Sequence, residues 1–477
     1  MSPVRLRRSL ILVGLVAWAG PLEAQAALDS VDRFVRAEVA RQRIPGMSVA
    51  VLRGDSVLLA KGYGFANLEH RVAATDSTVY QSGSVGKQFT AAAIVTLARE
   101  GKLGLDDPIR KYLPQAPAGW RKVTIRHLLT HTSGIPDYTD DLVDYRRDYT
   151  EEQLAALYAR LELDFQPGAT WRYSNTGYAL LGFVVRKVTG EFYGDYLREL
   201  IFQPLGMRTA RVISESDIVP NRAAGYELVD GEIRNQKWVS PSLNTTADGA
   251  LYLTVRDLAR WAIGLNHARV PDSAGLRQSW TPVRLNGGGT YPYGFGWSVD
   301  EQRGSPRIGH GGSWQGFKAS IQRYPEFDLT VIALANLDAG RPEAIGFGIA
   351  GIIEPALRAP HLLPPGGEQR PGGEQPPEPV EALLAAVAAG KASAKLSRGF
   401  RSFTTKDLRD EWGARLPRVT RWEAVGCDGV GEREISRLGA RVERLCYSRA
   451  ATPRGGVLVT VAYTADWRAA ALDAYEY

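Results

Sequence analysis

Hydrophobic and polar positions change rhythm several times along this chain, and each rhythm predicts an element. Met47-Ser48-Val49-Ala50-Val51-Leu52 alternates, Arg53-Gly54-Asp55-Ser56 reads as a turn, and a second apolar run occupies 57–60. Together they predict a hairpin of strands. Residues 89–97 are apolar on nearly every face, as a helix buried inside a domain is. Runs at 178–188 and 258–265 read as further helices, and 317–324 with 329–334 as paired strands. Strands toward both ends with helices between them predict one mixed α/β (α+β) domain whose sheet is closed by the two ends of the segment.

The rhythm stops at Pro364-Pro365-Gly366-Gly367-Glu368-Gln369 and its near repeat, Arg370-Pro371-Gly372-Gly373-Glu374-Gln375-Pro376-Pro377. A duplicated Pro-Gly-Gly-Glu-Gln unit has nothing to bury, so 361–379 is expected to be a linker between a main domain at 27–360 and a smaller one at 380–477. The smaller segment opens on an amphipathic pattern at 380–389 and later carries strand-like residues at 456–463. It contains no histidine and no cluster of reactive side chains, and is read as an accessory α+β module.

Composition adds the compartment. Arg5, Arg7 and Arg8 precede an apolar run at 10–18, and Ala24-Gln25-Ala26 has the small-x-small form of a cleavage site. Residues 1–26 are therefore expected to be an export signal, leaving a chain that starts near Ala27 in the periplasm or outside the cell. An uncleaved anchor is the competing expectation, although Gly20 and Pro21 interrupt a run that is short for a bilayer span. Removing a leader with three arginines and one glutamate takes the formal charge from +6 over 477 residues to +4 for the remainder, and so small an excess implies no nucleic-acid partner. The two cysteines, Cys427 and Cys446, form one disulfide in an oxidising compartment or remain as buried thiols.

Candidate chemistry begins at Ser82-Gly83-Ser84-Val85-Gly86-Lys87, where a serine and a lysine three apart stand at the mouth of the apolar helix. Nearly one helical turn separates them, so the amine and the hydroxyl share a face. Helix N-terminal N–H groups would surround an oxyanion forming there. Alone the pattern is weak, because a serine before a helix is commonly an N-cap. Two further segments add weight. Tyr173 and Asn175 lie in a polar stretch leading into a helix, where a phenol can relay a proton and an amide can hold a carbonyl; an ordinary turn is the alternative. Gly309-His310-Gly311-Gly312-Ser313 precedes a strand pattern, and its glycines permit close approach of a substrate to an edge strand or make a simple glycine-rich turn. His127 and His131 are four apart, but Leu128 stands where a zinc-binding helix would carry glutamate. They are expected to be structural, bonding near Thr132-Ser133-Gly134. A nucleophile elbow is disfavoured because Ser82 occupies its first glycine position. Asn244-Thr245-Thr246 fits a glycosylation acceptor and is expected to mark a loop beside a cleft.

Ser-x-x-Lys, Tyr-x-Asn and His-x-Gly in this order resemble the three motifs of the serine β-lactamase and penicillin-binding-protein superfamily, nearest its class C-like branch. The stretches Val123 through Ile135 (VTIRHLLTHTSGI), Asn244 through Gly249 (NTTADG) and Tyr293 through Trp297 (YGFGW) are similar to that branch as well, so the resemblance covers about residues 30–355. It implies a β-lactamase/transpeptidase-like domain, with an antiparallel sheet flanked by helices. It also implies Ser84 as an acylated nucleophile, Lys87 as the partner that takes or steers its proton and Tyr173 as the shuttle to the leaving group. Asn175, His310, Gly311, Gly312 and Ser313 then hold substrate, with the N–H groups of Ser84 and Ser313 as the oxyanion hole.

His310 stands where many relatives have lysine. A histidine is mostly neutral near pH 7, so recognition of a substrate carboxylate is put in doubt and an amide- or ester-cleaving peptidase or esterase is expected first. A true β-lactamase and a ligand-binding protein without catalysis are the alternatives. No metal or organic cofactor is expected, the partner is a small-molecule or peptide substrate, and the oligomeric state is open.

Overall fold

The computed structural model describes residues 21–139, 142–302, 305–358, 376–397, 400–401, 406–429, 442–453 and 455–476. The start of the expected leader and nearly all of the Pro/Gly-rich stretch lie outside these residues. No helix among the described residues is long and apolar enough to cross a membrane.

A seven-stranded antiparallel sheet organises the larger part of the chain. Its strands are β1 (Gly46–Arg53), β2 (Ser56–Asn67), β3 (Val72–Ala73), β4 (Ser298–Gln302), β5 (Ser305–Trp314), β6 (Phe317–Tyr324) and β7 (Leu329–Ala335), in the spatial order β4-β5-β6-β7-β1-β2-β3. β1 pairs with β2 on one side (Val49 opposite Lys61) and with β7 on the other (Val49 opposite Ala333). The first and last strands of the segment thus meet in the middle of the sheet, and everything between residues 74 and 297 is inserted between its two halves.

Both faces of the sheet are covered, which is why β1 and β7 are buried almost throughout. Met47, Val49 and Val51 of β1, with Val331 and Ala333 of β7, pack on Val31 and Val35 of α1 (Pro21–Arg41) and Ile345 and Ile349 of α6 (Pro342–Ile353). The alternate residues, Ala50, Leu52, Ile332 and Leu334, point into the larger core. There they meet α2 (Lys87–Arg99) and α5 (Val255–Asn266) through Phe89, Ile94, Leu258 and Trp261. Two-residue periodicity places successive side chains on opposite faces. Burying a large apolar side chain contributes about 1.5–3 kcal/mol, so the two layers hold the sheet from both sides. α2 is buried along most of its length because β-sheet, α4 (Asn175–Thr189) and α5 enclose it. α3 (Ile125–Leu129) is a short helix packed against α4.

The last part of the chain has its own core. Helices α7 (Val380–Ala388) and α8 (Lys406–Arg415) accompany a four-stranded antiparallel sheet of β8 (Arg421–Gly429), β9 (Arg444–Thr452), β10 (Gly455–Tyr463) and β11 (Ala469–Glu476), in that order. Leu384, Val387, Trp412, Val459 and Val461 fill it. Cys427 and Cys446 oppose each other across β8 and β9 and are bonded.

One polar side chain stitches the main sheet together. Asn336, fully buried, accepts a hydrogen bond from the Gly46 N–H (2.6 Å) and donates to the carbonyls of Phe65 (3.1 Å) and Ala224 (3.0 Å). Asn336→Ala leaves a backbone N–H and the carbonyls of Phe65, Ala66 and Ala224 without that partner, and is expected to destabilise the protein by about 2–4 kcal/mol in urea unfolding.

Candidate active site

Gly83–Gly86 forms a single 3-10 turn that runs directly into α2 at Lys87. The turn sits on a stretch of β5 that has no neighbour from β4, since β4 reaches only from Gln302 to Ser298, opposite Ser305 to Gly309. β5 is therefore an interior strand from Ser305 to Gly309 and an edge from His310 to Trp314. Two glycines make the contact possible. Gly83 has φ +47°, and a Cβ there would lie 2.4 Å from the Ser313 nitrogen. A Cβ on Gly312 would lie 2.1 Å from the Ser82 carbonyl oxygen and 3.1 Å from the Ser84 nitrogen. Hence the amides of Ser84 and Ser313 approach the same small space. Ser82 fastens the turn from the other side by donating from Oγ to the Gly249 carbonyl (2.9 Å).

Lys87 is wholly buried. Its Nζ donates to Ser84 Oγ (3.0 Å), to Asn175 Oδ1 (2.6 Å) and to the Asp248 carbonyl (2.5 Å). Burial lowers its pKa from 10.5 to about 8, against the opposing pull of the Asp248 and Asp137 carboxylates. Burial also raises the Asp248 carboxyl, with Lys87 opposing. Both shifts favour the neutral forms, as expected when charges leave water. The Lys87 ammonium also stands 4.8 Å from the centre of the Tyr173 ring.

Tyr173 is part of the same enclosure. Its hydroxyl is buried and makes no hydrogen bond of good geometry. Burial drives its pKa well above 10, tempered first by the nearby Ser84 hydroxyl. Ser174 caps α4, its Oγ accepting from the Gly177 N–H (3.3 Å). Asn175 is thereby the first helical residue, with its amide held at both ends. Oδ1 takes the Lys87 bond, while Nδ2 and the backbone N–H donate to Asp137 Oδ2 (2.9 and 3.0 Å).

His310 has a setting different from the one its motif position suggests. Its ring is turned inward and nearly buried, Nδ1 lying 2.5 Å from the Gly311 carbonyl oxygen and Nε2 2.9 Å from the Tyr293 hydroxyl. Burial, helped by Lys87 and Arg307, takes its pKa down to about 4. No ring nitrogen is left for a ligand. His127 and His131 are structural, as expected. His127 Nδ1 accepts from the Thr124 N–H in the cap of α3 (3.2 Å) and its carbonyl takes the Thr132 N–H (2.9 Å), while the His131 ring reaches past the adjoining loop to Ser174 and Tyr293. Among the described residues no cluster of His, Cys, Asp or Glu is arranged to hold a metal.

A cleft opens at Ser84, lined also by Tyr138, Asn175, Leu243, Ser313 and Trp314. None of the described lining residues is cationic. Asn244 lies beside it, fully buried and accepting from Trp314 Nε1 (2.6 Å), so it serves as a support for the cleft wall. Asp137 had no warning in the sequence beyond its place after Thr132-Ser133-Gly134-Ile135-Pro136. Asp248 and Tyr293 lay in stretches without an assigned role. Each is a common residue type whose importance depends on what it faces.

Residues 31–347 match the family described as Beta-lactamase. The chain is 30% identical over 306 residues to penicillin-binding protein 4* of Bacillus subtilis, covering 61% of this chain and 67% of that one. It is 29% identical over 318 residues to a D-aminopeptidase of Brucella anthropi, covering 66% and 60% respectively. The matches thus span between three fifths and two thirds of those relatives. The fold is also that of an octameric penicillin-binding protein homologue from Pyrococcus abyssi, with a TM-score of 0.60 over 94% of this chain and 96% of that one at 24% identity.

Gly312→Ala inserts a methyl group into the contact between β5 and the turn at Ser84. It is expected to slow modification of Ser84 by a fluorophosphonate about 10²-fold, read by intact-mass kinetics, and to lower the unfolding temperature, since the methyl group forces the two backbones apart.

Proposed function

Because this chain belongs to the beta-lactamase family, we propose that it is a hydrolase that cleaves amide or ester bonds through an acyl-enzyme on Ser84. The observation that carries the proposal is the pair Ser84 and Lys87. A wholly buried amine with its pKa lowered to about 8 stands 3.0 Å from a serine hydroxyl at the floor of a cleft. An amine that loses its proton near neutrality is a competent general base, whereas an ordinary lysine is not.

Neutral Lys87 accepts the Ser84 proton as Oγ attacks the carbonyl carbon. The resulting oxyanion is stabilised by the N–H groups of Ser84 and Ser313, whose close approach Gly83 and Gly312 permit. Collapse breaks the bond to the leaving group, which takes a proton through the Tyr173 hydroxyl. That phenol stays protonated until then, since burial holds its pKa high. Water repeats the sequence on the ester and returns Ser84 and the free acid. Lys87 and Tyr173 act as a coupled pair in this scheme.

The substrate is an amide or ester that needs no cationic receptor for a carboxylate. Support comes from the described cleft lining, which lacks a cation, and from His310, whose two ring nitrogens are engaged. The relative named D-aminopeptidase makes D-amino-acid amides and short peptides the first class to test, ahead of penicillins. The basic-then-apolar start of the sequence supports export to the periplasm or beyond.

Ser84→Ala is expected to abolish covalent labelling by a fluorophosphonate, with the wild-type label mapping to Ser84; a label elsewhere overturns the assignment. The acid limb of kcat/KM on a D-amino-acid anilide is expected to rise with pH to a midpoint at about 8, because the neutral amine is the active form. A chromogenic cephalosporin is expected to turn over far more slowly than the best anilide or ester; efficient turnover favours a β-lactamase instead.

A further inference from the structure

Tyr173 hangs from one residue. The Arg172 N–H donates to the His131 carbonyl (2.9 Å), the Ser174 N–H donates to His131 Nδ1 (3.1 Å), and the His131 ring lies against the Tyr173 ring with centres 4.2 Å apart. His131 is buried and has φ +57°, a left-handed conformation uncommon for a residue with a Cβ. Such a backbone persists where its surroundings over-determine it.

From His131 the contacts continue in one direction. His131 Nε2 lies 3.2 Å from the Tyr293 hydroxyl, that hydroxyl lies 2.9 Å from His310 Nε2, and His310 Nδ1 lies 2.5 Å from the Gly311 carbonyl. The two ends decide where every proton sits, because a backbone N–H only donates and a carbonyl only accepts. Since Ser174 donates to His131 Nδ1, that nitrogen is bare and the His131 proton is on Nε2, donating to the Tyr293 oxygen. Since Gly311 accepts from His310 Nδ1, the His310 proton is there and Nε2 accepts the single proton of Tyr293. All four bonds are satisfied with both rings neutral. Protonating His131 would set two donors against each other at Ser174. The cations near the chain, Lys87 at both rings and Arg307 at His310, favour the neutral forms as well.

We infer that His131 and Tyr293 are positioning residues, forming with His310 a one-way hydrogen-bond chain from Ser174 to Gly311 that fixes the Tyr173 phenol relative to the strand carrying Ser313. The inference rests on the roles proposed above for Tyr173 and Ser313. It makes His310 an internal strut and not a substrate ligand. Neither relay of protons nor contact with substrate is required of the chain. Its work is to hold two walls of the cleft, α4's leading loop and β5, at one spacing.

Tyr293→Phe removes only the central hydroxyl and leaves the ring packed against Trp171 and His131. On the best anilide or ester, kcat is expected to fall about 10²-fold with KM little changed, the pattern of a lost transition-state alignment, and the unfolding temperature is expected to fall by several degrees, because the His131 Nε2–H and the bare His310 Nε2 both lose a buried partner. Nitrogen-15 NMR of the histidine rings reads the chain without any activity, the signals being assigned with His131→Gln and His310→Gln. In the wild type at pH 7, His131 is expected to carry its proton on Nε2 and His310 on Nδ1, and Tyr293→Phe is expected to shift the His310 Nε2 resonance. Either opposite tautomer, a cationic ring at pH 7, or a Tyr293→Phe enzyme of wild-type kcat overturns the inference. Should Ser84→Ala retain activity, the acyl-enzyme reading fails separately, and the tautomers still decide whether the chain exists.

Discussion

Burial of the Lys87 amine is the constraint on which the rest of the site depends. A cation taken wholly out of water is tolerated only where acceptors replace the lost hydration, and here three come from three separate parts of the chain. Ser84 Oγ lies one turn earlier, Asn175 Oδ1 opens α4, and the Asp248 carbonyl belongs to the loop before α5. The amine therefore acts as the knot that draws these parts together. The same desolvation lowers its pKa toward neutrality, so one physical effect both assembles the site and prepares the amine for the role proposed for it.

Close approach of backbones is the second requirement. The turn at Ser84 rests on β5 without side chains between them, because positions 83 and 312 are glycine and any Cβ there would strike the opposing main chain. The sheet makes this possible by a simple difference in strand length. β4 ends opposite Gly309, so the backbone beyond it is open on that side to the turn and to the cleft. Rigid support for β5 comes from its other neighbour, β6, which pairs with it along 308–314. Catalytic geometry in acyl transfer is sensitive to displacements of about 1 Å, and a sheet packed on both faces is a suitable mount for it.

Much of the frame was legible in the chain. Alternation at 47–52 and the paired-strand pattern at 317–324 marked strands that the structure places at Gly46–Arg53 and Phe317–Tyr324, and the all-round apolar run at 89–97 marked the centre of α2. These patterns reflect burial on one or two faces, which is a local consequence of where side chains point. The candidate residues Ser84 and Lys87 were legible for a similar reason, since spacing alone sets them on one face of a turn. The setting of His310 was not legible. Its motif position suggests a group offered to substrate, yet both nitrogens are consumed by Tyr293 and the Gly311 carbonyl, and no spacing rule connects residue 310 with 293 and 131.

The sequence by itself determined the elements, the order of the motifs and the side chains to which acyl-transfer chemistry is proposed, because period, turn chemistry and short spacing are properties of neighbours along the chain. Only the tertiary structure decided their protonation and their partners. It removed Lys87 from water, raised the Tyr173 pKa further by burial, closed Asn175 between Lys87 and Asp137, and turned His310 inward. Those outcomes depend on dielectric surroundings and on donors and acceptors that lie tens to hundreds of residues away, which meet only when the sheet and the helical layer close around the turn at Ser84.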